Sequence, residues 1–445
     1  MPGFDRDAFI RAHQAPAPVS LRLHPVKQGP LPAPESGLVP WCAEGRYLVQ
    51  RPLFTADPLF HAGAYYVQEA SSMFLQEVLR QLYPAPDRLK VLDLCAAPGG
   101  KSTLLASWLS PDSLLLSNEV IRSRASILEE NMTRWGFMNT WVCSNDPRDI
   151  GRMDSYFDLV VTDAPCSGSG LFRKDPDALN EWSPANVRLC SERQQRILAD
   201  IWPALKKEGY LVYATCSYSP DEDEQVLDSL AADVELESVR LHVPAGWGIV
   251  EVQSPQQGCY GYRFFPDRLQ GEGFFIAVVR KKEGKDQFAY PKFRSAHHKV
   301  MAARAAELLR PGNYTILEKE NSQFGAIPAH LEQELQVLQQ YVFLRRAGLA
   351  LGMPSAKEWI PEHDLALSLD ASTAISRLEL DKQQALRYLQ KETLDLDISG
   401  KGWYLVSYQG QGLGWIKALG NRVNNYLPKH WRIRMNLDRY KSGDN

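Results

Sequence analysis

Six short apolar runs, KVLDL, SLLLSNE, TWVCSN, FDLVVTD, YLVYATC and FFIAVV, follow one another between about residues 90 and 280. No other feature of the sequence restricts the fold as much. Continuous aliphatic and β-branched runs of this length read as strands buried on both faces. Between the first five lie stretches with helical periodicity, such as SRASILEENMTRWG and ANVRLCSERQQRILADIWPAL. Strands alternating with helices imply a parallel sheet covered on both sides, a doubly wound α/β core. Ligands of such sheets lie beyond the carboxyl ends of the strands, so the residues just after each run hold the chemistry.

The rest of the chain divides around that core. The first forty residues are proline-rich and aperiodic, as suits a segment wrapped over another domain. We expect an N-terminal extension over 1–85 packed on a core over 86–283, then a basic connector and helical region over 284–365. The last part, 366–445, has Gly-punctuated aromatic segments (GWYLVSYQGQGLGWIKALGNRVNNYLP) that suggest a small β-containing domain. A chain of 445 residues that is 44% hydrophobic is long enough for two or three such units. It has no apolar run long enough to cross a bilayer and no N-terminal apolar segment like that of a signal peptide. The expected location is the cytoplasm, with no membrane partner. Seven cysteines cannot all pair, and without a CxxC or a Cys/His cluster no metal is expected.

The first strand runs into VLDLCAAPGGKST. Asp93 closes the strand, Pro98, Gly99 and Gly100 form the turn, and Lys101 opens a helix. Glycines let a ligand approach the backbone, and a helix N-terminus offers free amides. The segment Cys95, Ala96, Ala97, Pro98, Gly99, Gly100 and Lys101 is therefore the candidate cofactor cradle. It has the spacing of neither the dinucleotide fingerprint nor the phosphate loop, which disfavours a nicotinamide dehydrogenase and a nucleoside triphosphatase. Glu119 follows the second strand, where a carboxylate can accept both hydroxyls of a ribose. Asp146 follows the third, placed for an adenine, and Asp163 ends the fourth. Singly, each acid reads as a helix cap or loop residue. Together, at successive strand ends, they point to an adenosyl ligand.

The fourth and fifth strands run into DAPCSGSG and TCSYSPDEDE, each placing a cysteine just past a strand end, Cys166 and Cys216. These two motifs, with DLCAAPGGK, resemble those of the Nol1/Nop2/Sun family of RNA cytosine-5 methyltransferases. YYVQEASS at 65–72 and YGYRFFPDRLQGEGFFIAVV resemble further motifs of that family, so the likeness spans about residues 40–280. WSPANVRLCSERQQ and GLGWIKALGNRVNNYLPKHWR resemble the bacterial branch that methylates 16S ribosomal RNA. The resemblance implies a Rossmann-like class I methyltransferase core, a PUA-like terminal domain, S-adenosyl-L-methionine as cofactor and 16S RNA of the 30S subunit as partner of a monomeric enzyme. It also assigns roles. Cys216 would add to carbon 6 of cytosine as a covalent nucleophile. Asp163 would hydrogen-bond the ring near nitrogen 3 as a general acid, and Cys166 would take part in product release. Lys101 would support the cleft electrostatically.

Other readings stand beside this one. DNA cytosine methyltransferases use the cysteine of a Pro-Cys motif, which keeps Cys166 as a second candidate nucleophile. The two cysteines could form a regulatory disulfide or be inert. Transfer RNA is an alternative substrate, and a non-catalytic RNA-binding assembly factor is an alternative class. One departure from the family is Glu222-Asp223-Glu224, where the family usually has Glu-Asn-Glu. That segment also reads as a helix start, capped by Ser219 with Asp221 and Glu222 on its dipole, so Asp221 and Glu222 receive no catalytic role.

Overall charge says little, with 50 Lys and Arg against 53 Asp and Glu and a pI near 6.3. Local charge says more. Residues 401–445 hold eight basic residues (Lys401, Lys417, Arg422, Lys429, Arg432, Arg434, Arg439, Lys441) against Asp438 and Asp444. A second cluster runs from RKKEGK at 280–285 through Lys292, Arg294, His297, His298 and Lys299. Both would grip phosphates. Arg173, Lys174 and Asp175 are either the entrance to the cleft or a solvated loop, and Trp403, Trp415, Tyr426 and Trp431 either stack on bases or pack a core.

Overall fold

A computed structural model describes residues 5–437 except 86–87, 176, 292–303, 319, 397, 399 and 421. The apolar runs become the centre of a ten-stranded sheet. Its parallel part consists of β5 (Lys90–Asp93), β6 (Leu114–Asn118), β7 (Thr140–Cys143), β8 (Phe157–Asp163) and β9 (Leu205–Thr215). Then come β10 (Leu236–Ser238), β11 (Val250–Gln253), β12 (Tyr260–Phe264) and β13 (Phe274–Lys281), the last antiparallel to β9. The order along the sheet is β11-β12-β13-β9-β8-β5-β6-β7, with β10 beside β13. Leu92, Leu116, Trp141, Val160 and Val161 are at most 1% exposed, because helices cover both faces. Full burial of each such side chain is worth about 1.5–3 kcal/mol.

The crossing helices begin and end where local chemistry directs. Helix α4 (Gly100–Trp108) starts at the glycine turn. Helix α5 (Arg122–Trp135) stops at Gly136, which has φ of 87°. A Cβ there would also lie 2.5 Å from the Leu367 carbonyl oxygen, so only glycine fits. Helix α6 (Pro147–Gly151) is capped by Asp146. Helix α8 (Pro184–Ile201) has Ser183 as cap, accepting from the Asn186 amide, and proline in its first turn. Helix α9 (Glu224–Asp233) follows β9.

The N-terminal extension forms its own antiparallel sheet in the order β2-β3-β1-β4, from β1 (Val19–Leu23), β2 (Glu35–Leu38), β3 (Gly45–Leu48) and β4 (Tyr65–Tyr66). Helix α1 (Arg6–Gln14) precedes it and the short α2 (Pro58–Ala62) lies before β4. Buried Arg22 of β1 donates to Gln68 Oε1 at 2.9 Å and to Thr103 Oγ1 at 2.6 Å, anchoring the extension to α4. Lys27 Nζ donates to the carbonyls of Ala62 (2.9 Å), Arg134 (2.6 Å) and Leu367 (2.8 Å), joining extension, core and C-terminal half at one point.

Past residue 304 two further four-stranded sheets appear. One is β14 (Tyr314–Glu318), β15 (Phe324–Pro328), β17 (Leu349–Pro354) and β18 (Trp359–Pro361). The other is β19 (Arg377–Glu379), β20 (Gly402–Tyr408), β21 (Gln411–Ala418) and β22 (Val423–Asn425). The helical reading of HLEQELQVLQQYVFLRR holds only over Glu332–Tyr341. Leu344–Arg346 instead becomes β16, antiparallel to β7, and extends the core sheet. The reason is non-local: the Phe343 amide donates to Asn145 Oδ1 and its carbonyl accepts from the Ser144 amide, pairing the chain with the sheet edge. Among the described residues no helix is long and apolar enough to cross a membrane.

Candidate active site

The chain runs β5, β6, β7 outward and then returns to β8 on the other side of β5, so the topological switch lies between β5 and β8. The candidate cofactor residues other than Asp163 collect on one side of that switch, and Asp163 lies with the cysteines on the other. On the cofactor side, Asp93 is fully buried. Its Oδ2 accepts from Ser102 Oγ at 2.6 Å, while Oδ1 has no partner. Burial pushes this carboxyl up to about 7. The turn that follows is held by its carbonyls: Arg124 donates to Ala97 O at 2.8 Å, Asn131 to Pro98 O at 2.7 Å and Thr103 to Gly99 O at 2.8 Å. The Ala96 amide donates to Asn118 O at 2.8 Å. Gly99 sits at φ of 116° and gives α4 no side-chain cap, which leaves the helix N-terminus without an internal anion. The Cys95 thiol is raised by burial and by Asp93, Glu119 and Asp163 around it.

Glu119 is 3% exposed; Oε1 accepts from the Ile121 amide at 2.9 Å and Oε2 faces Arg124 at 3.4 Å. The adjoining Val120 and Ile121 are 56% and 48% exposed. Asp146 caps α6 through Oδ1 and the Arg148 amide at 3.1 Å, and its Oδ2 lies 4.0 Å from Arg196. An orphaned carboxylate oxygen, an uncapped helix N-terminus and two exposed aliphatic side chains beside a buried acid suit an adenosyl ligand. Its polar groups would meet the loop and its ring would cover the aliphatic surface.

Across the switch, Lys101 Nζ lies 2.7 Å from Asp163 Oδ2 and 5.0 Å from the Phe274 ring centroid, tying the cofactor loop to the end of β8. The lysine charge is thus directed at Asp163. Cys166 and Cys216 converge from the loops after β8 and β9, both half-buried and reduced, with their sulfurs 3.0 Å apart. The two loops touch: the Gly170 amide donates to Cys216 O at 2.8 Å. A Cβ on Gly170 would lie 2.4 Å from Gly273 O and 2.7 Å from Cys216 O, so this approach requires glycine. The Cys166 thiol is raised by its hydrogen bond with Cys216 and by burial. Either sulfur can donate across the 3.0 Å contact.

Several expectations are corrected here. The helix after TCS starts at Glu224, not at Ser219, and Glu222 is fully buried instead of lying on a solvated first turn. Its carboxylate accepts from the Ser167 amide, Ser167 Oγ and Ser217 Oγ, each at 2.6 Å. The repeated Cys-Ser dipeptide, at 166–167 and 216–217, is the signal that could have revealed this acceptor. Asp223 is fully buried, accepting from Thr215 Oγ1 at 2.5 Å and pairing with Arg263 at 3.0 Å. Arg173 is not free at an entrance: it pairs with Glu272 at 3.0 Å and donates to Gly271 O and to Ala12 O of α1. Lys174 and Asp175 are exposed. Arg124, unforeseen, links Glu119 to the cradle.

The basic cluster at 280–285 is neutralised within the fold. Arg280 and Lys282 pair with Glu208 and Glu237, and Lys285 pairs with Asp154. Lys281 is buried against the carbonyls of Trp202 and Leu205. Lys292, Arg294, His297, His298 and Lys299 lie outside the described residues, as do Asp438, Arg439, Lys441 and Asp444. In the terminal sheet Trp415 is core at 3% exposed, and Lys417 pairs with Glu358. Trp403 donates to Glu358, and Trp431 packs on His363. Lys401, Arg422, Tyr426, Lys429, Arg432 and Arg434 remain exposed.

Family models match three consecutive parts of the chain. They are the N-terminal domain of 16S rRNA methyltransferase RsmF over 1–70, the 16S rRNA methyltransferase RsmB/F over 80–280 and the methyltransferase RsmF PUA domain over 376–433. Ribosomal RNA small subunit methyltransferase F of Salmonella agona is 31% identical over 466 residues, covering 95% of this chain and 92% of the relative. That of Serratia proteamaculans is 30% identical over 412 residues, covering 88% and 84%. A methyltransferase homolog protein from Pyrococcus horikoshii superposes with a TM-score of 0.50 at 28% identity, covering 62% of this chain and 90% of that one. Its core is a class I S-adenosylmethionine-dependent methyltransferase fold with a C-terminal PUA domain, and the chain belongs to the ribosomal RNA small subunit methyltransferase F family.

Proposed function

We propose that this chain methylates carbon 5 of cytosine in 16S ribosomal RNA, with Cys216 as covalent nucleophile. The observation that carries the reading is the pair of sulfurs 3.0 Å apart in the loops after β8 and β9, with Lys101 paired to Asp163 at the end of β8. Carbon 5 of cytosine is a weak nucleophile. Addition of the Cys216 thiolate to carbon 6 forms a carbon–sulfur bond and moves the ring electrons toward nitrogen 3, which takes a proton from Asp163 as general acid, with Lys101 beside that carboxyl to stabilise the charge left on it. Carbon 5 then has enamine character. S-adenosyl-L-methionine, when bound by the 95–101 cradle, Glu119 and Asp146, supplies an electrophilic methyl group. Water takes the carbon 5 proton, the electron pair returns to the ring, the carbon 6–sulfur bond breaks to release the Cys216 thiolate, and nitrogen 3 returns its proton to Asp163. Cys166 adjoins the sulfur that leaves, which is the place for a group that assists release.

The target base must leave its stack to reach this cleft. Phosphates would be gripped by the exposed basic residues flanking the strands of the terminal sheet, Lys401, Arg422, Lys429, Arg432 and Arg434. We take the protein to act as a monomer in the cytoplasm on the 30S subunit. The test is incubation with labelled S-adenosylmethionine and, separately, naked 16S RNA, 30S subunits and transfer RNA, followed by digestion to nucleosides, with Cys216→Ala as control. Label in 5-methylcytidine from a ribosomal substrate is the expected result. Label in transfer RNA alone would keep the chemistry and replace the substrate. No 5-methylcytidine from any RNA, with cofactor bound, would favour a non-catalytic assembly factor.

A further inference from the structure

We infer that Glu222 is the positioning residue of the cysteine pair: one buried carboxylate clamps the loop of Cys166 to the loop of Cys216 and sets the separation of their sulfurs. The inference rests on the proposed role of the two cysteines. Glu222 is fully buried, and a carboxylate in that position is costly unless its lone pairs are filled. Arg263, which could neutralise it, pairs instead with Asp223 and Glu224. The compensation comes from donors: the Ser167 amide and hydroxyl from one loop and the Ser217 hydroxyl from the other, each at 2.6 Å. Charge-assisted hydrogen bonds of this kind are short and about twice as strong as neutral ones.

The clamp extends outward. Ser217 Oγ also accepts from the Ser219 amide at 3.0 Å and lies 3.3 Å from Ser169 Oγ, which accepts from the Tyr218 amide at 2.8 Å. Tyr213 donates to the Glu222 carbonyl, so the residue itself is tied down from β9. Each donor stands one residue past a cysteine or within the same two loops. The carboxylate also has an electrostatic effect. Its negative charge adds to the Cys216 hydrogen bond and to burial in raising the Cys166 thiol, so that Cys166 gives up its proton less readily than a free cysteine.

Alkylation by iodoacetamide, without RNA or cofactor and mapped by mass spectrometry between about pH 6.5 and 9.5, reads this difference directly. In the unaltered protein Cys216 should react at least about tenfold faster than Cys166. In Glu222→Gln, which keeps the volume but removes the charge and one acceptor, the two rates should converge. Its kcat for RNA methylation should fall on the order of a hundredfold, as expected for misplaced reacting groups. The KM for S-adenosylmethionine should stay within about twofold, because the cradle is untouched. Glu222→Asp should not restore kcat, since the shorter side chain keeps the charge but cannot span both loops. Unchanged alkylation ratio and kcat in a folded Glu222→Gln would overturn the inference. If that variant does not fold, Ser217→Ala carries the same test: a partial loss of the ratio is expected, and an unchanged ratio overturns the clamp. Because alkylation needs neither RNA nor cofactor, failure to methylate any RNA would sink the functional reading without deciding this one.

Discussion

At the residue scale, the proposed mechanism divides one task between two cysteines whose sulfurs lie 3.0 Å apart. Replacing Cys216 by alanine should abolish turnover, with rate below detection in the labelled-methyl assay. Replacing Cys166 by alanine should instead leave a protein–RNA adduct that survives a denaturing gel, because methylated base is formed but not released. An adduct in the first variant and none in the second would exchange the roles. Both cysteines were legible in the sequence because each stands directly after a strand, where topology alone directs residues to the cleft. The acids were legible for the same reason. Glu222 was not: its charge and its place after Ser219-Pro220 suit a solvated helix start equally well, and only the tertiary fold shows three donors around it. Arg173 misled in the same way, since a basic residue on a loop gives no sign of a distant partner such as Glu272.

At the element scale, the junction of β9, α9 and β12 is stabilised by one buried arginine. Arg263 is 2% exposed and donates to Glu224 Oε1 at 2.6 Å, while pairing with Asp223 at 3.0 Å. Arg263→Leu would leave two buried carboxylates without a cation and should cost about 3–5 kcal/mol, seen as a lower thermal midpoint. A midpoint within a degree or two of the parent would show that both acids are already neutral. Asp223→Asn should differ by less than about 1 kcal/mol, because the amide keeps a bond to Thr215 and removes a charge that burial disfavours. The departure from the family's asparagine therefore sits at this junction. Strands and helices of the core were readable from periodicity, whereas β16 was not. Its residues continue a helical pattern and become a strand only because the edge of β7 offers unpaired backbone.

At the scale of the molecule, the extension, the core and the C-terminal half meet in a seam of buried histidines. His24 accepts the amides of Val26 and Lys27 on Nδ1, each at 2.9 Å, and donates from Nε2 to Trp135 O at 3.0 Å, which fixes it as neutral. Burial, with Lys27 nearby, lowers it to about 2. Burial, with Arg134 nearby, lowers His61 to about 4 and His363 to about 3. Each folded value is depressed, so the unfolded chain takes up the proton first. The stability they confer is complete above about pH 6.5 and is lost as pH falls through 6.5 toward the folded values, at about 2 kcal/mol per histidine by pH 5. Asp93, raised to about 7, has the opposite sign in the global midpoint, so the check is local. Amide protection at 24–27 and 363–367, taken relative to the intrinsic exchange rate at each pH, should fall between pH 7 and 5, and unchanged protection there would refute the seam. The same seam argues against deleting residues from about 365 to test RNA binding, because Leu367 O accepts from Lys27 and Trp415 donates to Glu362 O. Reversing Arg432 and Arg434 to glutamate should weaken RNA binding, reduce its salt dependence and spare cofactor binding. Equal loss of both would count against a phosphate-binding face.

What the sequence determined by itself was local and directional: strand runs, glycine turns and the acids and cysteines that strand ends aim at one cleft. Periodicity and backbone geometry act over a few residues and are written in consecutive positions. What only the tertiary structure decided was pairing over long separations. Glu222 closes on Ser167, Arg263 on Glu224, Lys27 on Leu367 and Leu344–Arg346 on β7. A buried charge is acceptable only where its partners converge, and that convergence is a property of packing that no single stretch of chain contains.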